Sequence, residues 1–286
     1  MLNFLKNFVK DHFYIYFLRN RFSFSKRNEL QKLFEHYQEL ALEKTIPPLK
    51  NTGLKIFSQC EEDGLLLFLF AVLEVKNKTF IEIGSFDCIS NNCANLALNF
   101  GWNGLFIDVN KKLMNRGEKF YKKYSPFKDK LPKFIREKVT RENINHLIKQ
   151  EGFQGEIDLL SIDIDGNEYW IWDAIEVVSP RVVIVETMVE YGMRNIVAPY
   201  DKDYSFPGKH PLYHGASPLA MTKLANKKGY RLVGSNELGF NHIFVKKGIA
   251  GDLIPEVSVE STLTHPNAYE SFKDFEQVKY FPFVEV

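Results

Sequence analysis

Acidic residues recur in this sequence where short apolar runs end, which is where an α/β protein commonly places its chemistry. They are Glu82, Asp108, Asp163 and Glu186. Each belongs to, or directly follows, a run long enough to form a buried strand. The carboxyl ends of parallel strands meet at one edge of a sheet, so we expect these carboxylates to lie together. Like charges are unfavourable without a partner, so the pattern predicts a cationic ligand or a metal ion.

The first apolar run ends in a turn, Thr79-Phe-Ile-Glu-Ile-Gly-Ser-Phe-Asp87. Gly84 has no Cβ, so a ligand can approach the backbone there, while Glu82 and Asp87 can bind its cationic and hydroxyl groups. Asp108 follows Gly84 by about 24 residues, near the spacing at which an acid binds the ribose of an adenosine cofactor. The turn lacks the later glycines that admit a pyrophosphate, which favours an adenosyl ligand without phosphates. A structural turn with solvated acids is the alternative.

The densest acidic segment runs from Asp158 to Glu168. Strand alternation places Asp163 and Asp165 on one face, and Glu186 ends the next strand. These carboxylates are candidate ligands for Mg²⁺ or Mn²⁺, and they are also candidates for holding an ammonium group. Asp163 and His214 are candidate general bases, with Asp165 a further candidate catalytic residue. A capping turn in which Asp165 or Asn167 serves the following helix is the alternative.

Strand and helix patterns alternate from Ser58 onward, which predicts βαβ units and a mostly parallel sheet. The predicted strands are 79–83, 104–108, 134–139, 157–163, 181–186, 230–234 and 241–246. The last two are too close in sequence for a parallel crossover, so they must pair as an antiparallel hairpin. The predicted helices between them are 61–75, 91–100, 111–124, 141–150, 169–177 and 217–228. The sequence therefore predicts a Rossmann-like α/β fold with a seven-stranded sheet.

The core is predicted to carry a segment at each end. Residues 1–50 form a helical appendage, 51–250 the main domain and 251–286 an irregular extension. Within the appendage, Leu2, Leu5, Phe8 and Val9 share a stripe and a second helix spans 28–42. The first 24 residues mix aromatics with Lys and Arg, which is typical of a helix lying on a membrane surface. Packing on the domain or on a second subunit is the alternative, so residues 1–45 are candidates for membrane contact or self-association.

Composition excludes several classes of protein. Lys and Arg number 37 against 36 Asp and Glu, so no global field attracts nucleic acid, and no nucleic-acid partner is expected. The cysteines, Cys60, Cys88 and Cys93, lack the spacing of a zinc site or disulfide framework, which favours a reducing compartment. No apolar run reaches the roughly 18 residues of a membrane span. We expect a cytoplasmic protein, with peripheral membrane contact as the alternative.

Together these motifs resemble the FkbM-type S-adenosylmethionine-dependent methyltransferases, over residues 57–247. The motifs are Ser58-Gln59, Glu62-Asp63-Gly64, Phe80 to Asp87, Asn91-Asn92, Gly101-Trp102, Gly104 to Asp108, Leu160 to Gly166, Trp170, Tyr213 to Ser217 and Gly229 to Gly234. The sequence departs from the commoner pattern at Cys60-Glu61, where a small residue or glycine is expected.

The resemblance implies the class I methyltransferase fold and S-adenosylmethionine as cofactor. It implies that Asp163 faces the reaction centre, and the cofactor candidates are Gln59, Glu62, Glu82, Gly84, Asp87, Asn92, Asp108 and Asp163. Members of the family methylate hydroxyls of sugars or polyketides, so the expected acceptor is a sugar hydroxyl in a surface glycan or a glycosylated metabolite. The long segment 188–214 contains candidate sugar-stacking residues, namely Tyr191, Tyr200, Tyr204, Tyr213 and His214.

Two rival functions remain open at this point. A nicotinamide-dependent oxidoreductase needs a phosphate-cradling turn, which the sequence lacks. A binding or scaffold protein of the same fold would hold the adenosyl ligand without turnover.

Overall fold

The computed structural model describes residues 18–286; the predicted stripe of Leu2, Leu5, Phe8 and Val9 lies outside them. The main sheet has seven strands in the order β3-β2-β1-β4-β5-β8-β7. They are β1 (Thr79–Ile83), β2 (Asn103–Ile107), β3 (Lys133–Ile135), β4 (Gly155–Ile162), β5 (Val178–Glu186), β7 (Tyr230–Ser235) and β8 (Asn241–Lys246). The first five in this order pair in parallel, whereas β8 is antiparallel to both β5 and β7. The predicted Rossmann-like fold and its closing hairpin are confirmed.

Helices cover both faces of this sheet. They are α1 (Phe24–Glu43), α2 (Glu62–Val72), α3 (Ala94–Phe100), α4 (Lys111–Tyr124), α5 (Ile144–Gln150), α6 (Glu168–Ala174), α7 (Pro218–Lys227), α8 (Val259–Thr262) and α9 (Pro266–Ser271). The first four helices, α1 through α4, pack on one face of the sheet in a first apolar cluster. The next three, α5 through α7, pack on the other face in a second apolar cluster. Alternation divides each strand between them, as Phe80 packs in the first cluster and Ile81 in the second. The sheet is therefore buried on both sides, as a parallel sheet requires.

The helix predicted at 28–42 is longer at both ends and packs on the domain. The Ser23 hydroxyl accepts a hydrogen bond from the Lys26 N–H at 3.2 Å and caps the first turn of α1. Leu30 is fully buried in the first apolar cluster, with Leu18 and Phe22. Within residues 18–286, no helix is long and apolar enough to cross a membrane.

Several predicted boundaries differ from the observed ones by up to four residues. Two of these differences have an identifiable local reason. The third strand ends at Ile135 instead of Val139, because the chain turns there and Lys138 and Val139 reach a cavity instead of continuing the edge strand. The helix predicted from Asn91 begins at Ala94, because the Asn91 side-chain oxygen accepts a hydrogen bond from the Ala94 N–H at 2.9 Å.

The segment after residue 250, predicted to be irregular, contains α8, α9 and a short strand. This strand, β9 (Val284–Glu285), pairs antiparallel with β6 (Ile196–Val197) inside the long segment 188–214. Tyr191 and Tyr213 pack there with Phe275 and Val278 in a third apolar cluster. The C-terminal segment thus supports the loop that follows β5. The segment boundaries at residues 50 and 250 stay predictions.

Candidate functional site

A cavity of about 760 Å³ opens at the carboxyl edge of the parallel strands. Seven of the predicted site residues line it: Gln59, Glu82, Gly84, Asn92, Asp108, Asp163 and Asp165. Its wall also includes Phe86, Val109, Tyr204 and Phe206, none of which was predicted to contact a cofactor. The volume lies within the range typical of small-molecule sites.

Strand register explains why the acids meet. Ile83 of β1 pairs with Ile107 of β2 and with Ile162 of β4, and Ile162 pairs with Val185 of β5. The next residues therefore form a row across the sheet edge, in the order Asp108, Gly84, Asp163, Glu186. This row is what the sequence predicted from the ends of the apolar runs.

Gly84 is required by the packing of its neighbours. Its φ is +85°, and a Cβ there would overlap the carbonyl oxygen of Asp163. The predicted reason for the glycine was the approach of a ligand, whereas the structure gives close contact between the ends of β1 and β4 as the first reason. Gly84 also lines the cavity. Because it has no side chain, the row presents none between Asp108 and Asp163.

Asp108 is held at the mouth of the cavity by the backbone. Its two carboxylate oxygens accept hydrogen bonds from the Phe86 N–H at 2.8 Å and the Asn110 N–H at 2.7 Å. Each oxygen keeps a second lone pair that can accept from a ligand hydroxyl. Burial raises the pKa of this carboxyl.

Glu82 lies deeper and is almost fully enclosed. Its oxygens accept from the Asn92 N–H at 3.0 Å, the Cys93 N–H at 3.2 Å and the Ser161 hydroxyl at 3.3 Å. Burial raises its pKa to about 8 in spite of these bonds. A positively charged ligand in the cavity would favour its ionised form.

Asp163, Asp165 and Glu186 form a cluster in which one carboxylate oxygen from each lies within 4.8 Å of the others. Asp165 is exposed and takes a left-handed backbone conformation, with φ +53°. Burial, followed by the charge of Asp165, raises the pKa of Asp163 to about 6. The Glu186 Oε2 atom is buried without a hydrogen-bond partner among the described residues, and burial raises the pKa of that carboxyl well above its usual range.

Glu168 is a fourth acid beside this cluster and was not among the predicted site residues. It is buried, and its Oε1 accepts from the Ile164 N–H at 3.1 Å and the Gly166 N–H at 2.6 Å. Burial raises its pKa to about 7. A glutamate in the first turn of a helix, directly after a turn, is the signal that could have identified it.

Two predicted cofactor contacts, Glu62 and Asp87, lie behind the cavity wall. Glu62 is fully buried and accepts hydrogen bonds from the side-chain amides of Asn236 and Asn241 at 3.0 and 2.9 Å. Asp87 accepts from the Ile89 and Ser90 N–H groups at 3.0 and 2.8 Å. Neither residue lines the cavity itself, but each carboxylate holds a residue that does, Asn241 for Glu62 and Ser90 for Asp87. Direct contact of Glu62 or Asp87 with a cofactor stays a prediction.

Asp63 and Gly64 shape the loop that carries Gln59. One Asp63 oxygen accepts from the N–H groups of residues 56, 57 and 58, at 2.6 to 2.8 Å. A Cβ on Gly64 would overlap the backbone of residues 52–54, so the third residue of α2 must be glycine for the helix to pack against this loop. The Glu-Asp-Gly motif thus builds the wall on which Gln59 lies.

His214, a candidate base, is not among the residues that line the cavity. Its ring lies behind Tyr204 and Phe206, with ring centroids 6.3 and 5.7 Å away, and its Nδ1 atom has no hydrogen-bond partner among residues 18–286. Burial lowers its pKa. A base role requires the Tyr204 loop to move, and it stays a prediction.

Of the tyrosines predicted to bind a sugar, Tyr204 is the one that lines the cavity. Tyr191 and Tyr213 are buried against the C-terminal segment, where the Tyr213 hydroxyl donates to the Pro282 carbonyl. Tyr200 donates to Glu142 at 2.7 Å. These three are therefore committed to packing and hydrogen bonding within the protein, which the sequence pattern did not reveal.

No protein-family model and no curated protein matches this sequence. Among solved structures, an O-methyltransferase from Bacillus cereus in complex with SAH is 14% identical, with 74% of this chain and 90% of that chain covered and a TM-score of 0.42. The O-methyltransferase TomG from Streptomyces achromogenes, in complex with SAM, is 13% identical, with 74% and 89% covered and a TM-score of 0.41. The DszA carbon methyltransferase is 12% identical, with 66% and 54% covered and a TM-score of 0.42. With TM-scores this low, the fold class rests on the strand order of this chain itself.

Proposed function

We propose that this protein is an S-adenosylmethionine-dependent methyltransferase that methylates a hydroxyl group of a sugar. The observation that carries the proposal is the row of Asp108, Gly84, Asp163 and Glu186 at one sheet edge, beside a cavity of about 760 Å³. In open α/β sheets ligands bind outside the carboxyl ends of the strands, where this row lies.

The residues present fit this cofactor. S-adenosylmethionine carries a sulfonium and an ammonium group, which the acidic lining of the cavity complements. Asp108 has free lone pairs for two ribose hydroxyls. The turn after β1 has no glycine-rich phosphate cradle, which disfavours NAD.

Bound S-adenosylmethionine supplies an electrophilic methyl group. The chain must align an acceptor hydroxyl with that group and remove one proton. Asp163 is the stronger candidate base, since it lines the cavity and its pKa, raised to about 6, lets it accept a proton near neutral pH. Tyr204 and Phe206 would contact the acceptor, because aromatic rings pack well against sugar faces.

The test has two stages. Calorimetry should detect binding of S-adenosylmethionine and no comparable binding of NAD. Release of S-adenosylhomocysteine should then be measured over a panel of glycans and glycosylated metabolites. Tighter binding of NAD would refute the cofactor assignment, whereas cofactor binding without turnover on the whole panel would favour a scaffold protein of the same fold.

A divalent cation, Mg²⁺ or Mn²⁺, is the alternative occupant of the acidic cluster, held by Asp163, Asp165 and Glu186; Asp163 would then be a metal ligand instead of the general base. Three carboxylates within 4.8 Å and an unpartnered, buried Glu186 oxygen suit a hard cation that prefers oxygen ligands. Such an ion would polarise an acceptor oxygen when bound.

Binding of Mn²⁺ should weaken as the pH falls through about 6. The pKa of Asp163 is raised to about 6, so protons compete with the cation for this carboxylate below that value, and the raised pKa of Glu186 extends the competition to higher pH. We expect roughly tenfold weaker binding per pH unit below this point for one competing proton. Electron paramagnetic resonance of free Mn²⁺ measures this without any turnover.

Two variants make the metal test specific. Glu186→Gln should abolish Mn²⁺ binding, while Glu156→Gln, which removes an exposed carboxylate at the other end of β4, should leave it unchanged. Binding that is independent of pH, or that survives in Glu186→Gln, would exclude this site.

A further inference from the structure

Positive charge is concentrated in residues 111–138, which we call the basic surface. This stretch has eleven Lys and Arg against three Asp and Glu, a net charge of +8, whereas the whole chain carries only +1. The remainder of the protein is therefore net acidic. So uneven a distribution creates a local field even though the global charge is near zero.

Most charges of the basic surface face solvent, whereas Arg116 and Arg136 are half-buried. Helix α4 buries Met114, Gly117, Phe120 and Tyr121 against the domain. Lys112, Lys119 and Lys123 lie on its exposed side, at spacings that place them along one stripe. Within the described part of the chain, neither Lys112 nor Lys119 forms an ion pair with a carboxylate.

The surface is continuous from α4 to the edge strand β3. Arg136, just after β3, pairs with Glu118 of α4, and its Nε donates to the Asn115 side chain at 2.6 Å. Lys128, in the turn between them, donates to the carbonyl of Lys122 at 2.6 Å. Because β3 is an edge strand, no further strand formed by residues 18–286 covers this side of the sheet.

The basic surface adjoins the mouth of the cavity. Asn110, which directly precedes α4, lines the cavity, and so does Lys138. The described chain also begins here: Arg21 lines the cavity, and the ring of Phe22 packs on that of Phe120 of α4 at 5.7 Å.

We propose that the basic surface docks the protein on an anionic lipid bilayer, with the cavity mouth beside the lipid. Clusters of four to eight Lys and Arg on an amphipathic helix are typical of proteins that bind anionic lipid headgroups. The charge is carried mainly by lysine. The rings of Phe120 and Tyr121 are buried and those of Tyr124, Phe127 and Phe134 are half-buried, so residues 111–138 present no fully exposed ring on which a base could stack. These features favour a broad plane of lipid phosphates over a nucleic acid.

Sedimentation of the full chain with vesicles tests the proposal. Binding is expected to vesicles that contain phosphatidylglycerol, not to phosphatidylcholine alone, and it should fall as salt screens the charges. The triple variant Lys112→Gln, Lys119→Gln, Lys123→Gln should partition roughly a hundredfold less onto the anionic vesicles. S-adenosylmethionine binding should be unchanged in this variant, since none of the three side chains lines the cavity.

The matched control removes the same charge elsewhere. Lys223→Gln, Lys247→Gln, Lys273→Gln changes exposed lysines outside the basic surface and should bind vesicles like the unaltered chain. Equal binding to neutral vesicles, equal loss in both variants, or no loss in the first would overturn the proposal. Tighter binding of a duplex or single-stranded oligonucleotide would overturn it too, by assigning the surface to nucleic acid. None of these outcomes bears on the methyltransferase proposal, because none involves the cofactor.

Discussion

Asp108→Ala will weaken S-adenosylmethionine binding by roughly 10- to 100-fold, the range expected when hydrogen bonds to a charged group are lost. Both oxygens of Asp108 are fixed by backbone N–H groups, of Phe86 and Asn110, at the mouth of the cavity. The carboxylate is therefore oriented before the ligand arrives, which reduces the entropy lost on binding. Titration calorimetry measures the change directly.

Two further variants separate lost ligand contacts from lost loop structure. Asp129→Ala removes an exposed carboxylate from another loop and should leave the affinity unchanged. Asp108→Asn keeps an oxygen acceptor and should bind with intermediate affinity. If Asp108→Ala binds as tightly as the unaltered chain, Asp108 does not contact the cofactor.

Asp163→Asn will reduce turnover at least about 100-fold, because a positioned general base contributes that much or more. The asparagine matches the aspartate in size, so the packing of the β4 end against Gly84 should persist. The measurement is S-adenosylhomocysteine release on whichever acceptor the panel identifies. Asp252→Asn, a change at an exposed site, is the control and should retain full turnover.

Stability should distinguish a lost base from a damaged fold. The pKa of Asp163 is raised by burial to about 6, above that of an ordinary aspartate, so the folded state holds its proton more tightly than the unfolded state. This carboxyl therefore lowers stability as the pH rises from about 4 to about 6, and the loss persists above that range. Asp163→Asn removes the loss, so its thermal midpoint at pH 8 should equal or exceed that of the unaltered chain. A lower midpoint together with low turnover would mean that the fold, not the chemistry, had failed.

The sheet and its acidic edge were predictable because short-range signals determine them. Apolar runs of strand length, each followed by an acid, need only parallel pairing to bring Asp108, Asp163 and Glu186 into one row. The pairing of Ile83 with Ile107 and with Ile162 then aligns the residues that follow these positions along the sheet edge. Close spacing of the last two strands likewise fixed the antiparallel hairpin.

The functions of individual side chains were harder to predict, because a carboxylate that ties a loop looks in sequence like one that binds a ligand. Glu62 bonds to Asn236 and Asn241, which lie far away in the chain. Tyr191 and Tyr213 were predicted to be free for an acceptor, yet they pack on residues after 270. Such long-range partners leave no periodic trace in the sequence.

The pairing of β6 with β9 gives the two halves of the cavity different origins. One half is formed by the ends of adjacent strands of the central sheet. The other half is formed by a loop that a separate two-stranded sheet, β6 and β9, anchors. Under the proposed function, substitutions in the C-terminal segment would alter the acceptor-binding half of the cavity and leave the cofactor-binding half unchanged, so acceptor specificity and cofactor binding could change independently.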